Sequence, residues 1–367
     1  MSTTKKRGRE LGLPFAGTTG PYNAITDVPG VEVGYATITR GKDPSDSGPG
    51  VQTGVTALLP RGKTKTPQYV YAGMHALNGN GEMTGAHWVQ DAGYFLGPVC
   101  ITNTHSVGVV HHATVKWIVD QYSEAFGENH LFALPVIAET YDGVLNDING
   151  FHVTEAHVLS ALNSAASGPI AEGNVGGGNG MITYDFKGGT GTSSRVITLG
   201  DKQYTVGVLV QSNFGRREDL TVCGVPVGRD LPEGTVFEQI KEREFGSIIV
   251  VVATDAPLLP FQLSRVAKRA GLGLARTGAI AANSSGDIFL ALSTANDPVD
   301  IEGRKTQLTP TLLEDTHLDD VYRAARDATE EAIINALLAA ETSVGVRPKG
   351  ITVHAIDHDR LLSVMGL

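Results

Sequence analysis

The sequence has little cysteine, no long apolar run and no excess of positive charge. Its two cysteines, Cys100 and Cys223, are too few for a disulfide framework or a thiolate metal site. We expect two free thiols, with a single bridge between them as the alternative. No stretch reaches the roughly 18 apolar residues needed to span a bilayer, and the basic start lacks the apolar segment of a secretory signal. These absences predict a cytoplasmic protein with no membrane partner.

Acidic residues outnumber basic ones by 39 to 29, which gives a formal net charge of -10. This sign of charge argues against a nucleic-acid partner or an anionic membrane surface. The chain of 367 residues is 41% hydrophobic and 19% charged, as expected for a globular protein with a sizeable core.

Glycine is abundant, with 45 residues. This predicts many tight turns and close backbone approaches. The densest clusters are GNVGGGNG (173–180) and KGGTGTSS (187–194). The first lacks the G-x-G-x-x-G spacing and follows a predicted helix rather than a strand, and the second lacks the Gly-Lys-Ser/Thr ending of a P-loop. Neither cluster therefore predicts a nucleotide site.

Apolar periodicity predicts a mixture of strands and helices without strict βαβ alternation, which favours a layered α/β fold. The predicted strands are short strands within 23–39 and the segments 55–60, 69–74, 131–139, 204–213, 247–255, 287–295 and 350–356. The predicted helices are 105–126, 155–166, 261–270 and 318–340. Loops are expected at 40–54 and 77–85, and an exposed charged segment at 238–246. Residues 247–255 (SIIVVVATD) are the most apolar β-branched run, so we expect a central strand there.

The junction between Gly246 and Ser247 combines an unhindered carbonyl with a hydroxyl that opens a rigid, buried strand. Attack of Ser247 on that carbonyl would give an ester, and hydrolysis of the ester would free an α-amine with an ordinary pKa of about 7.7–8. Such an amine is suited to act as the base for its own hydroxyl near neutral pH. A Gly-Ser turn ahead of a strand explains the same residues without chemistry, so the local sequence leaves both interpretations open.

Long motifs across the chain resemble one family. They are AITDVPGVEVGYATI, LNGNGEMTG, PVIAETYDGVLND, GNVGGGNGM, FKGGTGTSSRV, LVQSNFG, GSIIVVVATDAPLLPFQL and GLARTGAIAANSSGDIFLALSTAN. The chain resembles the self-processing aminopeptidases that include the L-aminopeptidase/D-esterase and the β-peptidyl aminopeptidases. The resemblance implies a four-layer α-β-β-α sandwich, layered like the N-terminal-nucleophile hydrolases but connected differently.

The resemblance also implies a cut before Ser247 within a single hydrolase domain, 1–367. The products would be an α chain (1–246) and a β chain (247–367), assembled as a homo-oligomer, commonly of four αβ units. The substrates would be small peptides, amides or esters, and no cofactor would be needed. The alternatives are an aminoacyl transferase, because an acyl-enzyme permits transfer as well, and an uncleaved small-molecule binder of the same fold.

Six residues are assigned to the site by the same resemblance. Ser247 would be the nucleophile, and Ser285 with Asp287 would assist proton transfer. Some relatives carry Glu at the position of Asp287, and the Asp side chain is one methylene shorter than that of Glu. The remaining three are Asn213 and Tyr141, at the developing negative charge, and Glu139, which would bind the substrate amine. Without the resemblance, Asn213 is interpreted as a turn former and Tyr141 as a rim residue, and Glu139 as either a solvated strand end or a charge directed into a cleft.

The eleven histidines do not form a convincing metal motif. His354 and His358 have the H-x-x-x-H spacing of helical ligands, but ITVHAID is predicted to be a strand that runs into the C-terminal tail. His111 and His112 are adjacent and fit solvated or core positions. We therefore predict no metal.

Overall fold

The computed structural model describes residues 5–41, 50–232, 234–240, 246–300 and 305–367. The strands are β1 (Glu32–Arg40), β2 (Val51–Leu59), β3 (Tyr69–Gly79), β4 (Tyr94–Leu96), β5 (Val99–Asn103), β6 (Val136–Thr140), β7 (Ile182–Thr183), β8 (Phe186–Lys187), β9 (Gly189–Leu199), β10 (Lys202–Asn213), β11 (Ser247–Thr254), β12 (Gly286–Ser293), β13 (Ser343–Val346) and β14 (Lys349–Val353). The α-helices are α1 (Ala86–Ala92), α2 (Val107–Gln121), α3 (Ser123–Glu128), α4 (Glu155–Ser164), α5 (Val236–Ile240), α6 (Pro260–Arg276), α7 (Leu318–Ala339) and α8 (His358–Met365).

Two sheets hold most of the strands. The smaller sheet has the order β1-β2-β5-β6, and the larger has the order β4-β3-β12-β11-β10-β9. Neighbouring strands are antiparallel except for β5 with β6 and β11 with β12, which are parallel. Two short hairpins, β7-β8 and β13-β14, lie outside these sheets.

Three apolar layers separate the two sheets and the helices. One core cluster joins the facing surfaces of the sheets and includes Val33 and Ile101 from the smaller sheet and Val251 from the larger. A second cluster packs the larger sheet against α6 and α7, and a third packs the smaller sheet against α2 and α4. The layer order is therefore helix, sheet, sheet, helix, which confirms the predicted α-β-β-α sandwich.

Strand β11 occupies the middle of the larger sheet, as its apolar run predicts. It pairs with β10 on one side and with β12 on the other, and all eight of its residues are buried. Its side chains alternate between two layers: Ile248 and Val250 face the helices, whereas Ile249 and Val251 face the smaller sheet. Both faces are covered, which explains why this strand is continuously apolar.

The first glycine cluster serves close packing between the two sheets. A 3-10 turn runs from Gly176 to Gly180 and is fully buried. A Cβ added at Gly177 would lie 2.6 Å from the backbone oxygen of Ile101 in β5 and 2.2 Å from the side-chain oxygen of Gln211 in β10. Glycine is needed here because the turn fills the narrow space between β5 and β10, and the prediction of close backbone approach is confirmed.

The second cluster was not predicted to be a strand, yet residues 189–199 form β9 at the edge of the larger sheet. Glycine normally weakens a strand, so the sequence disfavoured this assignment. Here its small size is used for packing against α7. A Cβ added at Gly191 would lie only 2.0 Å from the backbone oxygen of Ala332 in that helix.

Several predicted boundaries are wrong because pairing partners extend or shorten the elements. Residues 51–54, expected to be loop, belong to β2 because they pair with β1. Residues 77–79 extend β3 because Asn78 and Gly79 pair with β12, with a bulge at Leu77. The strand predicted at 131–139 begins only at Val136, after Pro135, whose nitrogen cannot donate to a ladder. The short strands predicted within 23–39 reduce to β1, preceded by a 3-10 turn at Ile25–Asp27.

Other differences concern helices and the C-terminal region. The helix predicted at 105–126 ends at Gln121, because Tyr122 leaves helical geometry (φ -116°, ψ 34°), and α3 follows it. The last predicted strand, 350–356, ends at Val353. Helix α8 then begins at His358, so His354 and His358 do not share a helix. The predicted segment 238–246 includes 241–245, which lie outside the described residues, and Gly246 is buried rather than exposed.

The close approach of β9 to α7 predicts unequal effects of two Gly→Ala substitutions. Gly191→Ala should lower the thermal unfolding midpoint by several degrees, because its Cβ must displace the backbone of α7. Gly108→Ala, in helix α2, should not lower it, because no atom beyond the backbone of its own helix and its chain neighbours lies within 4 Å of the added Cβ, and alanine favours a helix. Calorimetry of both variants provides the measurement, and equal midpoints would contradict the packing argument.

Candidate active site

A cavity of about 740 Å³ opens near the start of β11. Ser247 and Gly246 form part of its wall, together with carboxylates and apolar groups from other elements. The remaining lining residues are Asn80, Gly81, Glu82, Thr104, Glu139, Tyr141, Gly143, Val144, Ile240, Ser284, Arg347 and Pro348. The sequence-predicted residues Ser247, Glu139 and Tyr141 therefore share one cavity.

Ser247 is the first residue of β11 and is buried. Its backbone is opposite Asn213 on the antiparallel strand β10 and opposite Gly286 on the parallel strand β12. The Oγ of Ser247 donates a hydrogen bond of 2.6 Å to the carbonyl oxygen of Gly246. The hydroxyl of Ser247 thus lies beside the peptide bond between Gly246 and Ser247, the predicted cleavage site.

The backbone N–H of Gly286 points at the same group. It lies 3.1 Å from the carbonyl oxygen of Gly246 and 3.3 Å from the Oγ of Ser247. On its other side Gly286 packs against the loop that contains Asn80, where an added Cβ would lie 2.3 Å from the backbone oxygen of Asn80. A backbone donor aimed at a carbonyl oxygen can stabilise negative charge that develops there.

Ser285 and Asp287 flank Gly286 and are both buried. The Oγ of Ser285 donates to Oδ1 of Asp287 at 2.7 Å, and Nδ2 of Asn78 lies 3.3 Å from Oδ2. Burial raises the pKa of the Asp287 carboxyl, and the bonds from Ser285 and Asn78 offset part of that rise. The side chain of Asp287, although shorter than Glu, is thus long enough to accept a hydrogen bond from Ser285.

Glu139 lies in β6 of the smaller sheet and is buried. Its Oε1 accepts a 2.9 Å hydrogen bond from the backbone N–H of Glu82, and its Oε2 accepts one from the hydroxyl of Thr104. Burial raises the pKa of the Glu139 carboxyl, whereas the bonds from Thr104 and from the backbone of Glu82 lower it. A buried carboxylate in a cavity wall is suited to bind a cation.

Tyr141 and Asn213 are held next to each other. Nδ2 of Asn213 donates to the backbone oxygen of Tyr141 at 3.0 Å, and its Oδ1 accepts from the backbone N–H of Ile182 at 2.8 Å. The side chain of Tyr141 folds over Gly143, where an added Cβ would lie 2.2 Å from the phenol oxygen. The amide of Asn213 is fixed in orientation by these bonds.

The model of peptidase family S58 matches residues 23–350. The chain belongs to peptidase family S58. The match includes every residue assigned to the site, from Glu139 to Asp287.

Individual relatives of this S58 chain agree with that assignment. It is 52% identical to a beta-peptidyl aminopeptidase, BapA, from Sphingosinicella microcystinivorans over 98% of this chain and 91% of the relative. It is similar to the solved structure of the L-aminopeptidase D-ala-esterase/amidase from Ochrobactrum anthropi, with a TM-score of 0.93 and 54% identity over 99% of this chain and 98% of that one. A Burkholderia sp. beta-aminopeptidase matches with a TM-score of 0.88 and 44% identity over 98% of both chains.

These findings confirm the aminopeptidase family that the sequence resembles and the predicted enzyme class, an aminopeptidase. They also support the fold, because the Ochrobactrum anthropi structure is described as a variant of the N-terminal-nucleophile hydrolase fold.

Four contributors to the site escaped the sequence analysis. They are the hydroxyl of Thr104 and the backbone N–H of Glu82, which bind Glu139, the amide of Asn78, which approaches Asp287, and the backbone N–H of Gly286. Asn78 and Glu82 lie in LNGNGEMTG, whose glycines predicted only a close approach to an unnamed group. The role of Gly286 could have been suspected from the sequence, because it lies between Ser285 and Asp287, which were both assigned to the site.

The cysteines behave as expected, since Cys100 and Cys223 are both free. Within the described ranges, no group of three His, Cys, Asp or Glu side chains is arranged as metal ligands are. No helix in the described part of the chain is long and apolar enough to cross a membrane.

The surroundings of Glu139 predict opposite pKa shifts in two variants. Thr104→Val removes a donor to the carboxylate and should raise the pKa of Glu139 further, whereas Glu82→Gln removes a nearby negative charge and should lower it. Infrared titration of the carboxyl band, assigned by its loss in Glu139→Gln, measures both shifts. Shifts of the same sign would contradict this description of the site.

Proposed function

We propose that this chain cuts itself between Gly246 and Ser247 and that Ser247 is then the nucleophile of the mature aminopeptidase. The observation that supports the proposal most is the short contact between the Oγ of Ser247 and the carbonyl oxygen of Gly246, with the N–H of Gly286 on the same oxygen. The parallel pairing of β11 with β12 by itself explains the N–H of Gly286 at that carbonyl, whereas it does not require the hydroxyl of Ser247 to bond the same oxygen.

In the proposed cut, the Oγ of Ser247 attacks the carbonyl carbon of Gly246. Negative charge develops on the carbonyl oxygen, where the N–H of Gly286 stabilises it. The C–N bond then breaks, the nitrogen of Ser247 takes up the proton from Oγ, and an ester remains. Water hydrolyses the ester, which leaves a carboxylate on Gly246 and a free amine on Ser247.

Both products would stay in one domain, 1–367. The α chain (1–246) contributes β10 and the β chain (247–367) contributes β12, and these two strands hold β11 between them. Strand β12 in turn pairs with β3 of the α chain. The two β-chain strands, β11 and β12, are therefore hydrogen-bonded to α-chain strands along both of their outer edges.

Turnover would use the same residues. The α-amine of Ser247 takes the proton from its own Oγ, and Asp287, held by Ser285, stabilises the resulting ammonium form. Asn213 has a second amide N–H beyond the one bonded to Tyr141, and with the phenol of Tyr141 it stabilises the oxyanion. The amine or alcohol leaves, and water hydrolyses the acyl-enzyme. This chemistry needs no cofactor or metal.

We assign the recognition of the substrate amine to Glu139, because a buried carboxylate in the cavity wall attracts an ammonium group. The relatives are named for beta-peptidyl and L-aminoacyl substrates and for D-alanine esters and amides. We therefore propose small peptides, amides and esters with a free N-terminal amine as substrates. We further propose a cytoplasmic homo-oligomer of four αβ units.

Self-cleavage predicts two bands on a denaturing gel, the smaller with the N-terminal sequence Ser-Ile-Ile-Val. Ser247→Ala should give one full-length band and no hydrolysis of aminoacyl p-nitroanilides. Ser247→Cys keeps a nucleophile at the same place and should restore the two bands, which separates lost chemistry from lost folding. A single band for the unmodified protein would favour the uncleaved binder, and turnover by Ser247→Ala would move the nucleophile elsewhere.

The bond between Ser285 and Asp287 predicts a difference between Ser285 and a serine outside the cavity. Ser285→Ala removes the hydroxyl that donates to Asp287 and should lower kcat about 100-fold, as for the loss of proton-transfer assistance. Ser164→Ala, at the exposed end of α4 and away from the cavity lining, is the control and should change kcat by less than about threefold. Equal losses in both variants would remove Ser285 from the mechanism. Kinetics with one p-nitroanilide suffice.

A further inference from the structure

The hairpin β13-β14 brings a basic residue to the cavity. Its turn consists of Arg347 and Pro348, and both line the cavity that contains Ser247. The hairpin is fixed to the loop after Tyr141, because the backbone N–H groups of Val346 and Arg347 both donate to the oxygen of Val144, at 2.8 and 3.2 Å. The turn is therefore held in place by backbone contacts, independently of the side chain of Arg347.

The described residues that line the cavity carry charges of both signs. Arg347 is the only lysine or arginine among its described residues, and Glu82 and Glu139 are its carboxylates. Glu139 lies in β6 and its oxygens are bonded to Thr104 and to the backbone of Glu82, whereas Arg347 lies beside Val144 on the hairpin. The cavity thus presents a negative group and a positive group from separate elements.

Among the residues that the structure describes, the guanidinium of Arg347 has only weak partners. Its Nη2 lies 3.4 Å from Oδ1 of Asp147, and 46% of the side chain is exposed. An exposed ion pair of this kind contributes little, and a guanidinium has five N–H donors. Asp147 is itself shared with His152, whose Nε2 lies 3.2 Å from Oδ2. A planar carboxylate arriving in the cavity can therefore form the paired hydrogen bonds that arginine prefers.

We infer that Arg347 binds the free C-terminal carboxylate of a short peptide substrate while Glu139 binds its N-terminal ammonium group. This inference rests on the proposed function and specifies its substrate class: small peptides with both ends free. The carboxylate belongs to the leaving part of the substrate, so recognition by Arg347 distinguishes a peptide acid from the corresponding peptide amide. Aminoacyl anilides, which have no carboxylate, do not use this contact.

The test compares a dipeptide with a free carboxylate and the same dipeptide as its C-terminal amide. The quantity measured is the ratio of the two kcat/KM values, acid over amide, for the mature enzyme. Arg347→Gln should lower this ratio about tenfold, the size expected for one charged hydrogen-bonded contact that is partly exposed to water. Arg347→Lys, which keeps the charge but loses the planar pair of donors, should give an intermediate ratio.

Lys349 provides the matched control, because it is a basic, exposed residue on the same hairpin that does not line the cavity. Lys349→Gln should leave the ratio unchanged. A ratio unaffected by Arg347→Gln, or lowered equally by Lys349→Gln, would overturn the specific contact. Aminoacyl p-nitroanilide hydrolysis is read in parallel: its absence in the unmodified enzyme would refute the proposed function, whereas its presence with an unchanged ratio refutes only the role of Arg347.

Discussion

The parallel pairing of β11 with β12 is the constraint on which the site depends. It places Ser247 opposite Gly286 and therefore brings the N–H of Gly286 to the carbonyl of Gly246. The same register puts Asp287 and Ser285 on either side of that contact. A shift by one residue would turn each side chain of β11 to the opposite layer and expose apolar groups to the wrong core. The apolar packing of the sheet thus fixes the geometry of the polar site.

The two-sheet arrangement explains why the cavity collects residues from distant parts of the chain. Glu139 comes from the smaller sheet, Ser247 from the larger, and Arg347 from a hairpin outside both. Each is supported by a different set of contacts, with Thr104 on Glu139 and Val144 on the hairpin. The ends of two facing sheets offer such a meeting place because their strands stop there while the apolar core continues behind them.

The sequence predicted the elements whose apolar period is strong. Strand 247–255 and helices 261–270 and 318–340 occur where expected, because burial on both faces or on one helical stripe leaves a clear pattern. Strand β9 was missed because Gly191 is selected for contact with a helix rather than for strand propensity. Ser247 was proposed as the nucleophile only through family resemblance. The contacts of Thr104, Asn78 and Arg347 could not be predicted, since they depend on which distant loops the topology brings together.

The position of Ser247 within the sheet has a consequence for conformational entropy. A chain terminus usually frays, because few contacts restrain its last residues. The terminus created by the proposed cut would instead begin a strand that is paired along both edges, with Asn213 and Gly286 as its first neighbours. The ordering of its backbone is completed when the protein folds and is not repeated each time a substrate binds. The enzyme would thus combine the chemistry of a free amine with the rigidity of an interior residue.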